Sequence, residues 1–339
     1  MPDTGKIDRT FFETVIASRL GATRQDVTKG PAHGVDFGVI DVGDAALALA
    51  TDPISILPEI GLERAGRFAI RFLLTDVAVS GLAPSHLAVS FSLPPGMTDE
   101  EFESVWKAID RECTDLGISI VTGHTARYEE CSLPWVGHGT IMAAGNHEDI
   151  IYPDGARPGD VLLVTKGPAV ESVGLLTTLF PDLVSLDEST LDTAQSLLDE
   201  AKATRDAMAV ADTGGVRAMH DATEGGLVGA FHEMAGSAGV QFRIDTDAIP
   251  VQPGVRQGAD ALGLDIWHAT SSGTLVIAVQ EEKTEAVIET LEARGTSVGI
   301  AGRVTDGDGV VLDGSPTDPP SGDASWPVYE RLLDEQAEQ

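Results

Sequence analysis

Apolar and other residues alternate over 37–41 and again over 45–50. A period of two predicts two short strands. Val42-Gly43-Asp44 between them reads as a tight turn, because Gly and Asp accept the backbone angles a hairpin needs. Such a hairpin places Asp36 and Asp52 at one end of a small sheet. From 61 to 80 the spacing becomes helical, with Ala65, Phe68, Ala69, Phe72, Leu73 and Ala78 on one stripe, until Gly81-Leu82-Ala83-Pro84 ends it. Residues 86–93 alternate as a strand. Thr98 and Glu101 then form a capping box that opens a helix to about Leu116. Strands follow over 118–121 and 135–144. The order β–β–α–β–α–β–β predicts an α+β sandwich with its helices on one face of the sheet.

Turn formers dominate 152–160 and mark a boundary, so the chain divides into domains over 1–155 and 156–339. The second half shows a strand over 161–165, one long helical pattern over 189–211, and a strand at 216–220. A helix over 227–237 and strands over 240–244 and 274–279 come next. A helix over 283–294 is closed by Gly295, and a strand over 298–304 precedes a charged helix over 328–339. Residues 1–33 form a polar arm around a short helix at 10–20, either a flap over a site or a fraying terminus.

Composition narrows the function. Lys and Arg number 22 against 54 Asp and Glu, a formal charge of −32, which excludes a general nucleic-acid binder. The acid is spread along the chain and lysine is scarce, a pattern expected of a salt-rich cytoplasm where short-range screening relieves self-repulsion. Cys113 and Cys131 make neither a disulfide framework nor a zinc spacing. No apolar run reaches bilayer length and no basic-then-apolar signal opens the chain, so a cytoplasmic protein with no membrane partner is expected.

Three aspartates stand out from this acidic background. Asp36, Asp52 and Asp76 each lie beside small apolar residues and outside any charge run, whereas Asp44 reads as a solvent-facing turn residue. Carboxylates gathered at one point stay ionised cheaply beside a cation, and Mg²⁺ carrying nucleotide phosphates is the usual one. Gly123-His124-Thr125 sits past a predicted strand end. Its Gly permits close backbone approach, its Thr can bind phosphate oxygens, and His124 serves either as a neutral ligand or proton carrier or as a packed histidine. Asp221-Ala222-Thr223-Glu224-Gly225-Gly226 leads from a strand into a helix, an arrangement that aims backbone N–H groups at an anion. Asp221 or Thr223 alternatively caps that helix. Walker loop, dinucleotide fingerprint and nucleophile elbow are all missing from the sequence.

Taken in order, these segments resemble the PurM superfamily, which comprises aminoimidazole-ribonucleotide synthetase, thiamine-phosphate kinase, selenophosphate synthetase and the carbamoyl dehydratase HypE. Gly34-Val35-Asp36-Phe37-Gly38 resembles the family's Gly-Asp-Asp-Ala-Ala, with its middle aspartate replaced by valine. Thr51-Asp52, the helix Thr75-Asp76 to Gly81-Leu82-Ala83-Pro84, and Gly123-His124-Thr125 match three more of its motifs. His220-Asp221-Ala222-Thr223-Glu224-Gly225-Gly226-Leu227 and Ser272-Gly273-Thr274-Leu275 are most similar to HypE, where arginine usually stands at Glu224.

The resemblance implies a two-domain α+β fold whose N-terminal domain dimerises through its strands into a β-barrel, with a C-terminal α+β sandwich. ATP then lies in a cleft between the domains, and phosphoryl passes to an oxygen of a small-molecule or carbamoyl-type acceptor. Asp36, Asp52 and Asp76 are the implied Mg²⁺ ligands, and Asp52, Asp76, His124 and Asp221 the implied catalytic residues. Gly34, Thr51, Gly123, Thr125, Thr223, Gly225 and Gly226 are the implied nucleotide or substrate contacts. A homodimer is implied, together with a maturation-factor partner protein. HypE ends in a cysteine that carries the carbamoyl group, and this chain ends in Ala337-Glu338-Gln339, which points to a HypE-like enzyme on another acceptor. The alternatives are a thiamine-phosphate-type kinase and a non-catalytic nucleotide-binding dimer.

Overall fold

The computed structural model describes residues 5–7 and 9–338. Two compact units appear: one holds 24–30 and 36–150, and the other holds the described part of 1–23 with 31–35 and 151–338.

The arm opens with α1 (Arg9–Phe11), continued by a wider turn over Phe12–Ile16 in which Ala17 N–H reaches back five residues to Phe12 O. In the 36–150 unit, β1 (Val27–Lys29), β2 (Gly38–Val42) and β3 (Ala45–Ser55) precede α2 (Leu62–Ala78) and β4 (His86–Leu93). The helix α3 (Asp99–Leu116) leads to β5 (Ser119–Arg127) and β6 (Trp135–Gly145). The six strands form one sheet in the order β1-β2-β3-β6-β4-β5. Every second residue is buried along β4 and from Ala46 to Ala50 of β3, so one face of the sheet packs on a core that α2 lines with Phe68, Leu73 and Val77.

Two strand boundaries differ from the alternation pattern, and both matter for the site. The third strand does not end at Ala50; it continues to Ser55 because its register with β6 runs unbroken from Ala46↔Gly145 to Ile54↔Gly137. Asp52 is therefore a paired strand residue opposite Gly139. The fifth strand likewise continues through Gly123-His124-Thr125, in parallel pairing with β4. These residues form an edge strand, not a loop past its end.

The second sheet takes the order β13-β12-β9-β11-β7-β10-β8. Its strands are β7 (Val161–Thr165), β8 (Val216–Asp221), β9 (Gln241–Ile244), β10 (Leu275–Val279), β11 (Val298–Thr305), β12 (Gly309–Leu312) and β13 (Ser315–Thr317). The helices are α4 (Val170–Leu179), α5 (Glu188–Ser196), α6 (Thr204–Ala211), α7 (Gly226–Ala238), α8 (Val255–Leu262), α9 (Thr284–Ala293) and α10 (Ser325–Ala337). The central strands β7 and β10 are buried at every position, as strands covered on both faces must be.

The single helix expected over 189–211 is broken between α5 and α6. Buried Lys166 supplies the reason: its ammonium donates to the carbonyls of Glu200 and Lys202 and lies 3.4 Å from Asp206. Those carbonyls are taken from the helical ladder to cap a buried charge, which is costly to leave unpaired.

The capping box that opens α3 is present on both sides, with Glu101 N–H on the Thr98 hydroxyl and Thr98 N–H on the Glu101 carboxylate. Thr98→Ala should lower the unfolding free energy by about 1 kcal/mol, as loss of such a cap does. Urea denaturation of both forms in the same KCl concentration checks it.

Candidate functional site

In the 36–150 unit the site begins at a missing side chain. Gly139 sits on the helix-packed face of the sheet, and a Cβ there would collide with Cδ2 of Leu73. The helix α2 thus seats Leu73 directly on Gly139, the strand partner of Asp52. Asp76 lies three residues beyond Leu73, hence on the same helix face. Asp52 points to this same layer, because its neighbours Ala48 and Ala50 at period two are buried there. The strand pairing and the phase of α2 together bring the two carboxylates into one layer. Asp76 is 9% exposed. Asp36 lies two residues before Gly38, whose partner is Leu49, so it stands at the hairpin end that holds Asp52.

The remaining candidates of this unit are divided between two faces. Asp52, Gly139, Val89 and Gly123 form one row across β3, β6, β4 and β5. Gly123 is three strand spacings from Asp52, about 14 Å. Its missing Cβ is required by contact with the Val89 carbonyl, a packing role. Thr125 lines a groove with Phe102, Trp106 and Arg127. His124 pairs in the adjacent row with Ser90 and His138, which places its side chain on the opposite face from Asp52. There its Nε2 lies 3.3 Å from the Tyr128 hydroxyl. Thr51 faces the same way, donating to the Gly139 carbonyl at 2.9 Å and accepting from Thr140 at 3.1 Å. Within this unit the pleat therefore separates His124 from Asp52.

In the unit containing 151–338, His220 and Asp221 end β8 and are fully buried. His220 Nδ1–H donates to the Asp221 carbonyl at 2.6 Å, and its Nε2 lies 3.2 Å from Glu233 on α7. Lys6 Nζ approaches the other Glu233 oxygen at 3.9 Å, and His33 Nε2 at 4.0 Å. Burial opposes ionisation of Glu233, yet His220 and the flanking Lys6 and His33 outweigh it and hold the carboxyl at about 2. Gly34 packs on this residue: at φ +71° it lies against the Glu233 backbone, where a Cβ would come within 2.8 Å of the carbonyl oxygen. Its implied nucleotide contact is not what demands a glycine here.

The glycine pair also differs from the expected amide cradle. Gly225 N–H donates to the Asp323 carboxylate at 2.8 Å, and Gly226 N–H to the Thr223 carbonyl at 2.9 Å. Both amides are thus engaged by groups of the protein itself. Gly225 itself is the cap of α7, and neither Asp221 nor Thr223 caps it through a side chain. Glu224, which seemed out of place beside an anion, accepts from Trp326 Nε1 at 3.1 Å and from the backbone N–H of Lys6 at 2.6 Å. It is a clamp for the arm. Glu171, in the first turn of α4, accepts from Ser272 N–H at 3.1 Å. Burial pushes its carboxyl up to about 7 against those donors.

Glu233 and Lys6 were missed by sequence reasoning. For Glu233 a signal existed, since it is the one acid among the thirteen residues of α7. For Lys6, only folding brings the distant Glu224 and Glu233 to it.

A model of the AIR synthase related protein N-terminal domain matches residues 34–141, and one of the C-terminal domain matches 157–315. Carbamoyl dehydratase HypE of Escherichia coli is 31% identical over 254 residues, which cover 74% of this chain and 73% of that protein. The crystal structure of E. coli HypE, a hydrogenase maturation protein, aligns at a TM-score of 0.70 with 28% identity, over 83% of this chain and 88% of that one. A crystal structure of HypE in complex with ATP has the same fold, with a TM-score of 0.67 and 23% identity over 91% and 92% of the two chains.

Because Glu171 ionises in the unfolded chain at an ordinary carboxylate pKa but only near 7 when folded, wild-type stability falls as pH rises between these values. Glu171→Gln should melt at a higher temperature than wild type at pH 8, with the difference closing at pH 5. Thermal melts at the two pH values measure it. The two domain matches, the HypE relatives and the shared two-domain α+β architecture place the chain in the AIR synthase related, PurM-like family.

Proposed function

We propose that the chain is an ATP-dependent enzyme of this family that moves phosphoryl from ATP to an oxygen of a small-molecule or carbamoyl-type acceptor. The observation that carries the reading is that Asp52 and Asp76 share the sheet–helix layer, with Asp36 at the same end of the hairpin. An all-carboxylate donor set, without sulfur or imidazole, suits Mg²⁺ better than a softer ion. These three aspartates would hold it, and bound there it neutralises charge on nucleotide phosphates. What the chain itself contributes is positioning: one carboxylate on a doubly paired strand and one on a packed helix are held by the core. Asp221, buried at the end of β8, is assigned to the acceptor side, where it orients the acceptor hydroxyl or takes its proton. The ATP complex of a HypE supports the nucleotide, and the maturation role of the relatives supports a partner protein of that apparatus.

A homodimer is part of the proposal, and the open face of the first sheet supports it. Its rows over β2 to β6 hold Ile40, Leu47, Leu49, Met142, Thr140 and Ser90, among other uncharged residues and three histidines, with no Asp, Glu, Lys or Arg. In a chain of net charge −32, a face without carboxylates is where two copies meet at least electrostatic cost.

Calorimetric titration of Mg²⁺ and ATP in molar KCl tests the site. Asp52→Asn and Asp76→Asn should each weaken wild-type binding at least tenfold, about 1.4 kcal/mol. Unchanged binding in both variants would overturn the site, and binding without ADP release across an acceptor panel would favour the non-catalytic dimer.

A further inference from the structure

The open face of the first sheet divides into two parts. On its β2–β3 side Ile40 pairs with Leu47 and Leu49 with Met142, which makes an apolar patch. Toward the β5 edge the histidines collect. His138 on β6, Ser90 on β4 and His124 on β5 stand in one row, so two imidazoles flank one small side chain. His86 lies four residues before Ser90 on the same strand, hence on the same face. All three histidines are exposed.

The groups that face these imidazoles from the neighbouring strands carry no charge. They are Ser90 and Tyr128 for His124, and Ser90 and Pro53 for His138. For His86 they are Met142, Ser119 and the Ser85 hydroxyl, 2.8 Å from its Nδ1. Among them only Tyr128 is titratable, and a phenol ionises only in alkali.

A neutral imidazole suits a contact between copies, because it offers one donor and one acceptor. An imidazolium does not. Buried on this face it would lose its hydration with no carboxylate in these rows to pair with. A symmetric dimer presents the same rows from both copies, so the cost is met twice. Protonation also reduces the −32 on each copy, which by itself favours association. In 1 M KCl, however, the Debye length is about 3 Å, so that long-range relief is screened and the local desolvation decides.

We infer that His86, His124 and His138 make self-assembly proton-sensitive: the dimer forms while they are neutral and opens as pH falls through the imidazole range. This rests on the homodimer proposed above. A free imidazole titrates near 6.5. Each one that must shed a proton on burial weakens association about tenfold per pH unit below that value.

Sedimentation equilibrium in 1 M KCl at pH 7.5 and pH 5.5 is the test. The wild-type dimer dissociation constant should rise at least a hundredfold at the lower pH, the effect of about two imidazoles. The triple variant His86→Gln, His124→Gln, His138→Gln should still dimerise at pH 7.5 and change less than about threefold between the two pH values. His138→Lys, which fixes a charge in the row, should be at least tenfold weaker than wild type at pH 7.5. A wild-type constant equal at both pH values, or a full pH response in the triple variant, would overturn the inference and leave the dimer standing. A wild type that is monomeric throughout would remove the dimer and the inference together. Circular dichroism at both pH values verifies that each protein is folded.

Discussion

The contact on which the first unit depends is Leu73 seated on Gly139. A helix laid on a sheet is free to rotate until something sets its phase, and here the notch left by a missing Cβ does so. With Leu73 locked, Asp76, three residues on, is held on the same face of α2, in the layer that Asp52, the strand partner of Gly139, also faces. Close-packed interiors transmit such constraints because they have little free volume to absorb a shift. That two carboxylates face one layer is thus a consequence of apolar packing, with the charged groups riding on it.

The unit containing 151–338 is organised by how it manages buried charge. Lys166 is satisfied by two carbonyls and Asp206, and Asp206 is held also by Arg294 at 2.8 Å and Thr296 at 3.0 Å. Burial lowers the Lys166 pKa while Asp206 opposes that shift. Glu233 is paired and stays ionised, whereas Glu171, given hydrogen bonds without a cation, is pushed toward neutrality. The same desolvation acts on both carboxyls, and the charge beside each decides the outcome. The arm contributes one of the cations on Glu233, which ties a terminal segment to the end of β8.

Much of the architecture was legible in the sequence. Alternation located β2 to β4, helical spacing located α2, and Thr98 with Glu101 marked the start of α3 to the residue. Legibility failed where pairing or a distant partner overrides local pattern. Asp52 and Gly123 are strand residues because β6 and β4 continue alongside them, and 200–202 leaves the helix because Lys166 claims its carbonyls. The strands β12 and β13 lie in a Gly- and Asp-rich tail whose composition reads as loop, yet β9 offers a free edge to pair with.

By itself the sequence determined which residues are candidates: three aspartates outside charge runs, a Gly-His-Thr segment, and an Asp-Ala-Thr-Glu-Gly-Gly turn. Residue type and spacing along the chain carry that much. The tertiary structure alone decided how they are grouped. The pleat of β5 turned His124 away from Asp52, Leu73 set Asp76 on the face of α2 that packs on the sheet, and the arm met Glu224 and Glu233 across more than 200 residues of chain. Side-chain direction on a strand and contact between remote segments depend on partners in space, and no local pattern encodes those.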